Sequence, residues 1–417
     1  MKTLGKYSMG LGDRFGHQGA PQLKAIIAAS QKGVEITPVW NKSNREHNII
    51  GTQPSDVRLE ADMVTKKAGF VKPYFVDADH INIESVDRFI EASDFFTIDV
   101  ANYIGKRVDE KEILEFLSFA AKYIGDILIP GTKVSLKTSK AQIKLITEKY
   151  LFSAIKAGEV YRKIEKTKGA GNFITEVSMD EVAVPQAPEE LFFILMMLAS
   201  ENIPVQTIAP KFSGRFNKGV DYVGDPSLFS REFETDLMII DYAVKEFGLP
   251  DNLKMSIHSG SDKFSIYPYI GSIIKRHNKG IHIKTAGTSW LEEVIGLAQS
   301  GGEALDFVKE LYFKSLEDIE ELCTPYADVI DINFSSLPAR GEVATWTSDR
   351  FSNALIHNKD NSEYNPNMRQ LIHVAYKIAA SQIADYYRLL ETNEEVISGC
   401  VYENIYKRHI CKLFGID

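Results

Sequence analysis

The sequence predicts an α/β fold, a (β/α)8 TIM barrel carrying a C-terminal helical appendage, and three observations predict it. Eight short β-type runs recur, each followed by a helical pattern, which is the count a closed barrel of this kind needs. Polar residues gather at the C-terminal end of nearly every run, as barrel enzymes require. No linker-like composition, internal repeat or low-complexity tract interrupts the alternation. An open doubly wound sheet is the competing arrangement, and the polar strand ends favour the barrel over it.

The runs follow in order. "KYSMG" closes at Gly10 and leads to a helix from about Pro21 to Ser30. "EITPVW" (Glu35–Trp40), "KPYFVDAD" (Lys72–Asp79) and "FFTIDVA" (Phe95–Ala101) come next, and a long helical region through "KEILEFLSFAAKYIG" follows the last of them. "NFITEVS" (Asn172–Ser178) precedes the apolar "LFFILMMLA" (Leu191–Ala199), whose first turn holds Pro188, Glu189 and Glu190, the profile of a helix buried against a sheet. "IPVQTIAP" (Ile203–Pro210), "KMSIHSG" (Lys254–Gly260) and "GIHIKTAG" (Gly280–Gly287) complete the eight. The barrel is expected over 1–322. The strand rhythm stops after Leu322, and 323–417 reads as an extension whose two helices, around Met368–Leu390 and Glu403–Leu413, cap the barrel.

Bulk properties exclude several classes of function. A hydrophobic content of 44% is ordinary for a folded globular chain. A net charge of −9 argues against nucleic acid or an anionic membrane as partner. The sequence shows no signal-peptide pattern, and Leu191–Ala199 is far too short to span a bilayer. The three cysteines, Cys323, Cys400 and Cys411, lack metal or redox spacing. Reduced thiols in a cytoplasm are the expectation. Oligomeric state is open, with a homo-oligomer compatible.

"SMGLGDRFGHQG" (Ser8–Gly19) resembles a dinucleotide fingerprint, one residue off. The fingerprint also needs an acid closing the next strand, about 20 residues on, but that run ends "PVWNKS" without one. No Walker-type G-K-[ST] is present either. The loop is expected to grip a small anionic substrate instead, with Asp13, Arg14, His17 and Gln18 at the mouth.

The other strand ends supply chemistry. Asp77, Asp79 and His80 close the third run, Asp99 the fourth, and Glu176 and Asp180 the fifth. Lys211 and Arg215 follow the sixth, in an irregular stretch rich in cations that suits a carboxylate or phosphate. His258, Ser259 and Asp262 follow the seventh, and His282 and Lys284 lie on the eighth. His80, His258 and His282 at one mouth, among carboxylates, suit a divalent cation of the Mn, Co, Ni or Zn type. Asp77 and Asp99 have an alternative reading as helix caps. His47, His277, His357, His373 and His409 are expected at the surface, and Glu181 and Asp221 in solvent.

Taken together, "SMGLGDRFGHQG", "FVDADHIN", "TEVSMDE", "IAPKFSGRFNKGVDY", "SIHSGSDKF" and "IHIKTAGTSWLEE" resemble, in colinear order, the tagaturonate/fructuronate epimerase family of bacterial hexuronate catabolism. Some of its relatives epimerise tagatose and fructose at C4. The resemblance implies a divalent-metal-dependent epimerase acting on a keto-sugar acid or a neutral ketohexose. The inverted carbon lies β to the ketone, so its C–H is not acidified and simple deprotonation cannot invert it. Retro-aldol cleavage and re-addition, or transient oxidation by a bound nicotinamide, remain. The missing fingerprint favours the first.

In that reading His80, His258 and His282 hold the metal, and Glu176 or Asp79 moves the hydroxyl proton. Lys211, Arg215 and the glycine loop hold the substrate, with Asp262 and Lys284 also lining the site. A metal-dependent aldolase or another sugar isomerase is the nearest alternative. A Schiff base on Lys211 or Lys284, a metal-dependent hydrolase and a non-catalytic sensor are the others.

Overall fold

The computed structural model describes residues 1–130, 132–259, 262–285 and 288–417, so the expected strand-end glycines Gly260 and Gly287 lie outside the described residues. Among the described residues there are ten strands: β1 (Tyr7–Gly12), β2 (Ile36–Ser43), β3 (Phe75–Ile81), β4 (Phe95–Asp99), β5 (Gly125–Leu128), β6 (Ser135–Thr138), β7 (Ile174–Ser178), β8 (Thr207–Ala209), β9 (Lys254–His258) and β10 (Ile281–Thr285). Eight of them close into a parallel barrel in the order β1-β10-β9-β8-β7-β4-β3-β2. All eight coincide with the runs read from the sequence.

Alternation along each strand decides what fills the barrel. At the N-terminal end Leu4, Val39, Phe75, Phe95 and Ile174 form a small apolar core of their own. Two residues further along the same strands stand Asn41, Asp77, Thr97 and Glu176, all buried. The barrel is therefore largely apolar at its floor and charged above it. Gly10 is required at this level, because a Cβ there would lie 2.9 Å from Lys284 Cγ and 2.9 Å from Asn41 Nδ2.

Two regions differ from expectation. The long helical region after β4 is a helix, Glu110–Ala120, then the antiparallel β5–β6 hairpin, then a helix of 29 residues, Lys140–Lys168. In the C-terminal region the expected Met368–Leu390 helix is broken into Pro366–Val374, Tyr376–Ala380 and Ile383–Thr392. The last expected helix is Glu394–Glu403 running into a π-helical stretch, Asn404–Cys411. These helices pack on the barrel helix Thr288–Ser300, so closely that a Cβ on Gly296 would meet Ile397 Cα at 2.8 Å.

Candidate active site

The mouth is organised around Lys284. Its ammonium lies 2.8 Å from Asp77 Oδ2, 2.7 Å from Asp79 Oδ1 and 3.4 Å from Glu176 Oε1, and donates to Thr97 Oγ1 at 2.5 Å. Burial alone would discharge this lysine, but Asp77, Asp79 and Glu176 outweigh it and hold it well above the ordinary lysine range. Its donors are spent on the protein. Lys284 was expected to bind substrate; instead it is the counter-ion that lets three carboxylates share a buried site. The same partners argue against Schiff-base chemistry on it, which needs a neutral amine.

His258 joins that cluster from β9. Its Nε2 donates to Glu176 Oε1 at 2.8 Å, and its Nδ1 lies 3.1 Å from Asp180 Oδ1. Burial lowers the imidazole pKa, but Asp180 and then Glu176 reverse this and raise it to about 9. Burial would likewise raise Glu176, and Lys284 and His258 instead bring it well below the usual range. The carboxylate is thus an obligate acceptor, which fixes the Nε2 proton and leaves Nδ1 turned to Asp180.

His80 arrives by a local irregularity. Regular alternation from Asp77 and Asp79 would turn it out of the barrel. The pairing of β3 with β4 shifts between Ala78 and Ile81, and His80 has a φ of 52°. Such a bulge, with a bulky residue in left-handed backbone, is a strained device that re-aims a side chain. His80 Nε2 lies 3.7 Å from Asp79 Oδ1 and its Nδ1 3.4 Å from Asp99 Oδ2. Asp99 also caps the following turn, accepting from Ala101 N at 2.9 Å. The His80 and His258 rings meet edge to face at 5.0 Å.

Potential ligating atoms of His80, Asp180 and His258 all lie within 4.8 Å of one another. The donor set suits a divalent cation: two imidazoles and a carboxylate, with His258 Nδ1 buried and facing Asp180. Glu176 on the far nitrogen of His258 adds the carboxylate that commonly orients a ligating imidazole.

His282 was expected in this set and stands elsewhere. Register explains why: Lys284, not His282, pairs with His258, whereas His282 pairs with Ser256 and Ser8. Two residues along a strand are about 7 Å. His282 therefore belongs to the layer below, where its Nδ1 meets Ser8 Oγ at 2.9 Å and its ring packs on Phe95 at 5.3 Å.

The glycine loop is also corrected. The anion it cradles is its own: Asp13 Oδ1 accepts from Gly16 N at 2.8 Å and from Phe15 N at 3.2 Å, Asp13 Oδ2 accepts from Gln18 N at 2.5 Å, and Glu60 accepts from Gly19 N at 2.9 Å. Arg14 is committed to Glu46 at 2.8 Å and to the His373 carbonyl at 2.7 Å, beneath the Tyr376 ring. His17 packs on Tyr387 at 4.6 Å, and Gln18 is buried. Arg215 points away to Asp331 at 3.0 Å, half exposed. Lys211 stays at the mouth, with Asp180 and His258 lining the same small cavity.

Asp262 is a staple rather than a substrate contact. Arg369 at 2.8 Å, His357 at 3.2 Å, Asn404 at 3.4 Å and His409 at 3.5 Å surround its carboxylate, all from the C-terminal region. His357 and His409 are consequently buried, as are His47 and His373, against the surface expectation. His277 is the exception, half-buried beside Glu234. Asp221 is buried too, accepting from Tyr222 N at 2.8 Å and Ser265 N at 3.1 Å.

A closed parallel barrel with imidazoles and carboxylates collected at the C-terminal mouth defines a (β/α)8 enzyme. A family model described as tagaturonate epimerase matches residues 2–413. A tagaturonate/fructuronate epimerase of Thermotoga maritima is 30% identical over 422 residues, covering 98% of this chain and 81% of that protein. The glycerol-bound crystal structure of fructuronate-tagaturonate epimerase from Cohnella laeviribosi superposes with a TM-score of 0.82 at 25% identity, covering 100% of this chain and 83% of that one. Its native structure, at 24% identity and a TM-score of 0.81, shares the fold. The chain belongs to the tagaturonate epimerase family and is an isomerase of the epimerase type. Among the described residues, no helix is long and apolar enough to cross a membrane.

Proposed function

We propose that the protein interconverts tagaturonate and fructuronate by retro-aldol cleavage and re-addition, at a mouth where His80, Asp180 and His258 would hold a divalent cation. The grouping of these three side chains, with Glu176 hydrogen-bonded to His258 Nε2, is the observation that carries the reading. A bound cation of the Mn, Co, Ni or Zn type would supply Lewis acidity at the ketone oxygen.

The rest falls to the protein. Asp79 takes the proton from the hydroxyl on the carbon to be inverted. The adjoining C–C bond then breaks, leaving an aldehyde and an enediolate. The aldehyde turns, the bond re-forms on its other face, and Asp79 returns the proton. Asp79 is suited to this because burial would raise its pKa, whereas Lys284 and then His80 lower it, so it is ionised and ready to accept. Glu176 acts through His258 as a positioning residue, and Lys284 keeps both carboxylates charged.

The test is incubation of cation-loaded protein with tagaturonate, fructuronate, tagatose and fructose, with products resolved by chromatography. We expect turnover of the uronates that chelator abolishes and added cation restores. Deuterium on the inverted carbon should be retained. Full activity in chelated protein refutes the cation reading, and solvent deuterium appearing at that carbon refutes retro-aldol chemistry.

A further inference from the structure

Lys211 and Phe212 border two cavities. One, of about 20 Å³, belongs to the mouth and is lined also by Asp180 and His258. The other, of about 350 Å³, lies beyond them, between the start of helix Pro188–Ser200 and the flank of helix Pro226–Phe247, and no step described above uses it.

Its ionisable lining is two cations, Lys211 and Arg231, and two acids, Glu232 and Asp236. Lys211 and Arg231 both line it, and neither has an ion-pair partner among the described residues. Gln186, 8% exposed, spends Oε1 on Lys211 N at 2.6 Å, and its Nε2 is buried without a partner. Of the two acids, Glu232 is occupied by Ser213 N at 3.0 Å and Ser213 Oγ at 2.5 Å. Asp236 is pushed well above its ordinary range, first by burial and then by the charge of Glu232, which favours its neutral form. The unspent groups are thus donors or cations: Lys211, Arg231, Gln186 and Asp236. The volume is at the small end of ligand cavities.

We infer that this cavity binds the carboxylate of a small polyhydroxy acid, a reading that rests on the proposed sugar-acid substrate. Unpaired cations and neutral donors around one space match an acceptor-only anion. The acid has two sources: the substrate's own carboxylate reaching past Lys211, or a separate acid bound beside the mouth.

The experiment titrates the intact protein and its Arg231→Ala and Gln186→Leu variants with D-gluconate, which has no ketone to react, by calorimetry. KM for tagaturonate and for tagatose is measured on the same proteins. Gluconate affinity should fall about tenfold in either variant. A parallel rise in KM for tagaturonate alone assigns the cavity to the substrate carboxylate, and unchanged KM values assign it to a separate acid. Absent gluconate binding, unchanged affinity in both variants, an equal rise in both KM values, or tighter binding of inorganic phosphate than of gluconate overturns the inference. Failure of the intact protein to epimerise any sugar counts against the proposed function instead, and the gluconate titration is still readable.

Discussion

Asp180 and Asp262 occupy the same kind of place, in the segments that follow the ends of β7 and β9, yet they do opposite things. Asp180 keeps 22% of its side chain exposed, and its partners are barrel residues, His258 and Ser178. Asp262 is 0% exposed, and among the described residues the side chains that pair with it, Arg369, His357, Asn404 and His409, arrive from beyond residue 356. A charge cluster left open at the mouth can exchange partners with a substrate or cation. One sealed by the C-terminal helices can only hold the fold. What separates the two is which later segment lands on the strand end.

The largest effects should come from breaking each cluster at its centre. Asp79→Asn removes the proposed proton carrier while keeping shape, so kcat should fall by about 10²- to 10⁴-fold with KM little changed. Its urea midpoint should move far less than that of the staple variant below. Steady-state kinetics and urea unfolding on one preparation decide this, and a kcat within threefold of the parent removes Asp79 from the chemistry.

The staple should show the reverse pattern. Arg369→Met leaves Asp262 buried without its guanidinium, and breaking such a pair costs about 3–5 kcal/mol of stability. Urea unfolding should register that loss, while the folded fraction turns over at the parental rate. A stable Arg369→Met protein with impaired kcat would place this cluster in the mouth.

The sealed cluster also carries a pH signature. Burial, with a smaller push from Asp262, raises Glu292 to about 7 despite Arg408 and Arg369. Its folded pKa exceeds its unfolded value, so its contribution is fully present below about 4.5 and is lost as pH rises through about 7. Glu292→Gln keeps the Asn404 contact of 2.9 Å without the charge. The variant should gain up to about 3 kcal/mol over the parent above pH 7 and nothing below pH 4.5. Unfolding at pH 4.5 and 8 gives the difference, and an equal offset at both excludes the titration.

A smaller effect tests how the open cluster is tuned. Glu176→Gln retains a hydrogen bond to His258 but loses the negative charge beside Nε2. Cation affinity should drop about 10- to 100-fold, with the fold intact, as measured by competition with a chromophoric chelator. Unchanged affinity would mean that Glu176 does not position His258.

The contrast also explains what was legible beforehand. All eight barrel strands were readable, because a buried parallel strand ending in polar residues is a local pattern. Layers and covers were not. His282 was placed with His258 because both lie on neighbouring strands, but register sets their depth, and register is a property of paired strands. His80 reaches the mouth through a bulge that no alternation predicts. The histidines expected at the surface, His47, His357, His373 and His409, are buried because packing over them is non-local. Asp180 was named at its strand end, but only the structure sets it beside His80 and His258.

Arg215 supplies the smallest predicted effect and the sharpest limit on the comparison. It follows a barrel strand, as Asp180 and Asp262 do, and in the sequence it looked like a clamp for a substrate carboxylate. In the structure it pairs with Asp331 at 3.0 Å and with the Ile330 carbonyl at 3.2 Å, with side-chain exposures of 47% and 65% for the ion pair. An exposed pair of this kind contributes about 1 kcal/mol or less. Arg215→Ala should therefore leave efficiency on tagaturonate and tagatose within about twofold of the parent and the urea midpoint nearly unmoved. A selective loss on tagaturonate would mean that the 211–223 segment folds over the mouth during turnover and brings Arg215 to the substrate carboxylate. Strand ends would then fall into three kinds, open, sealed and recruited.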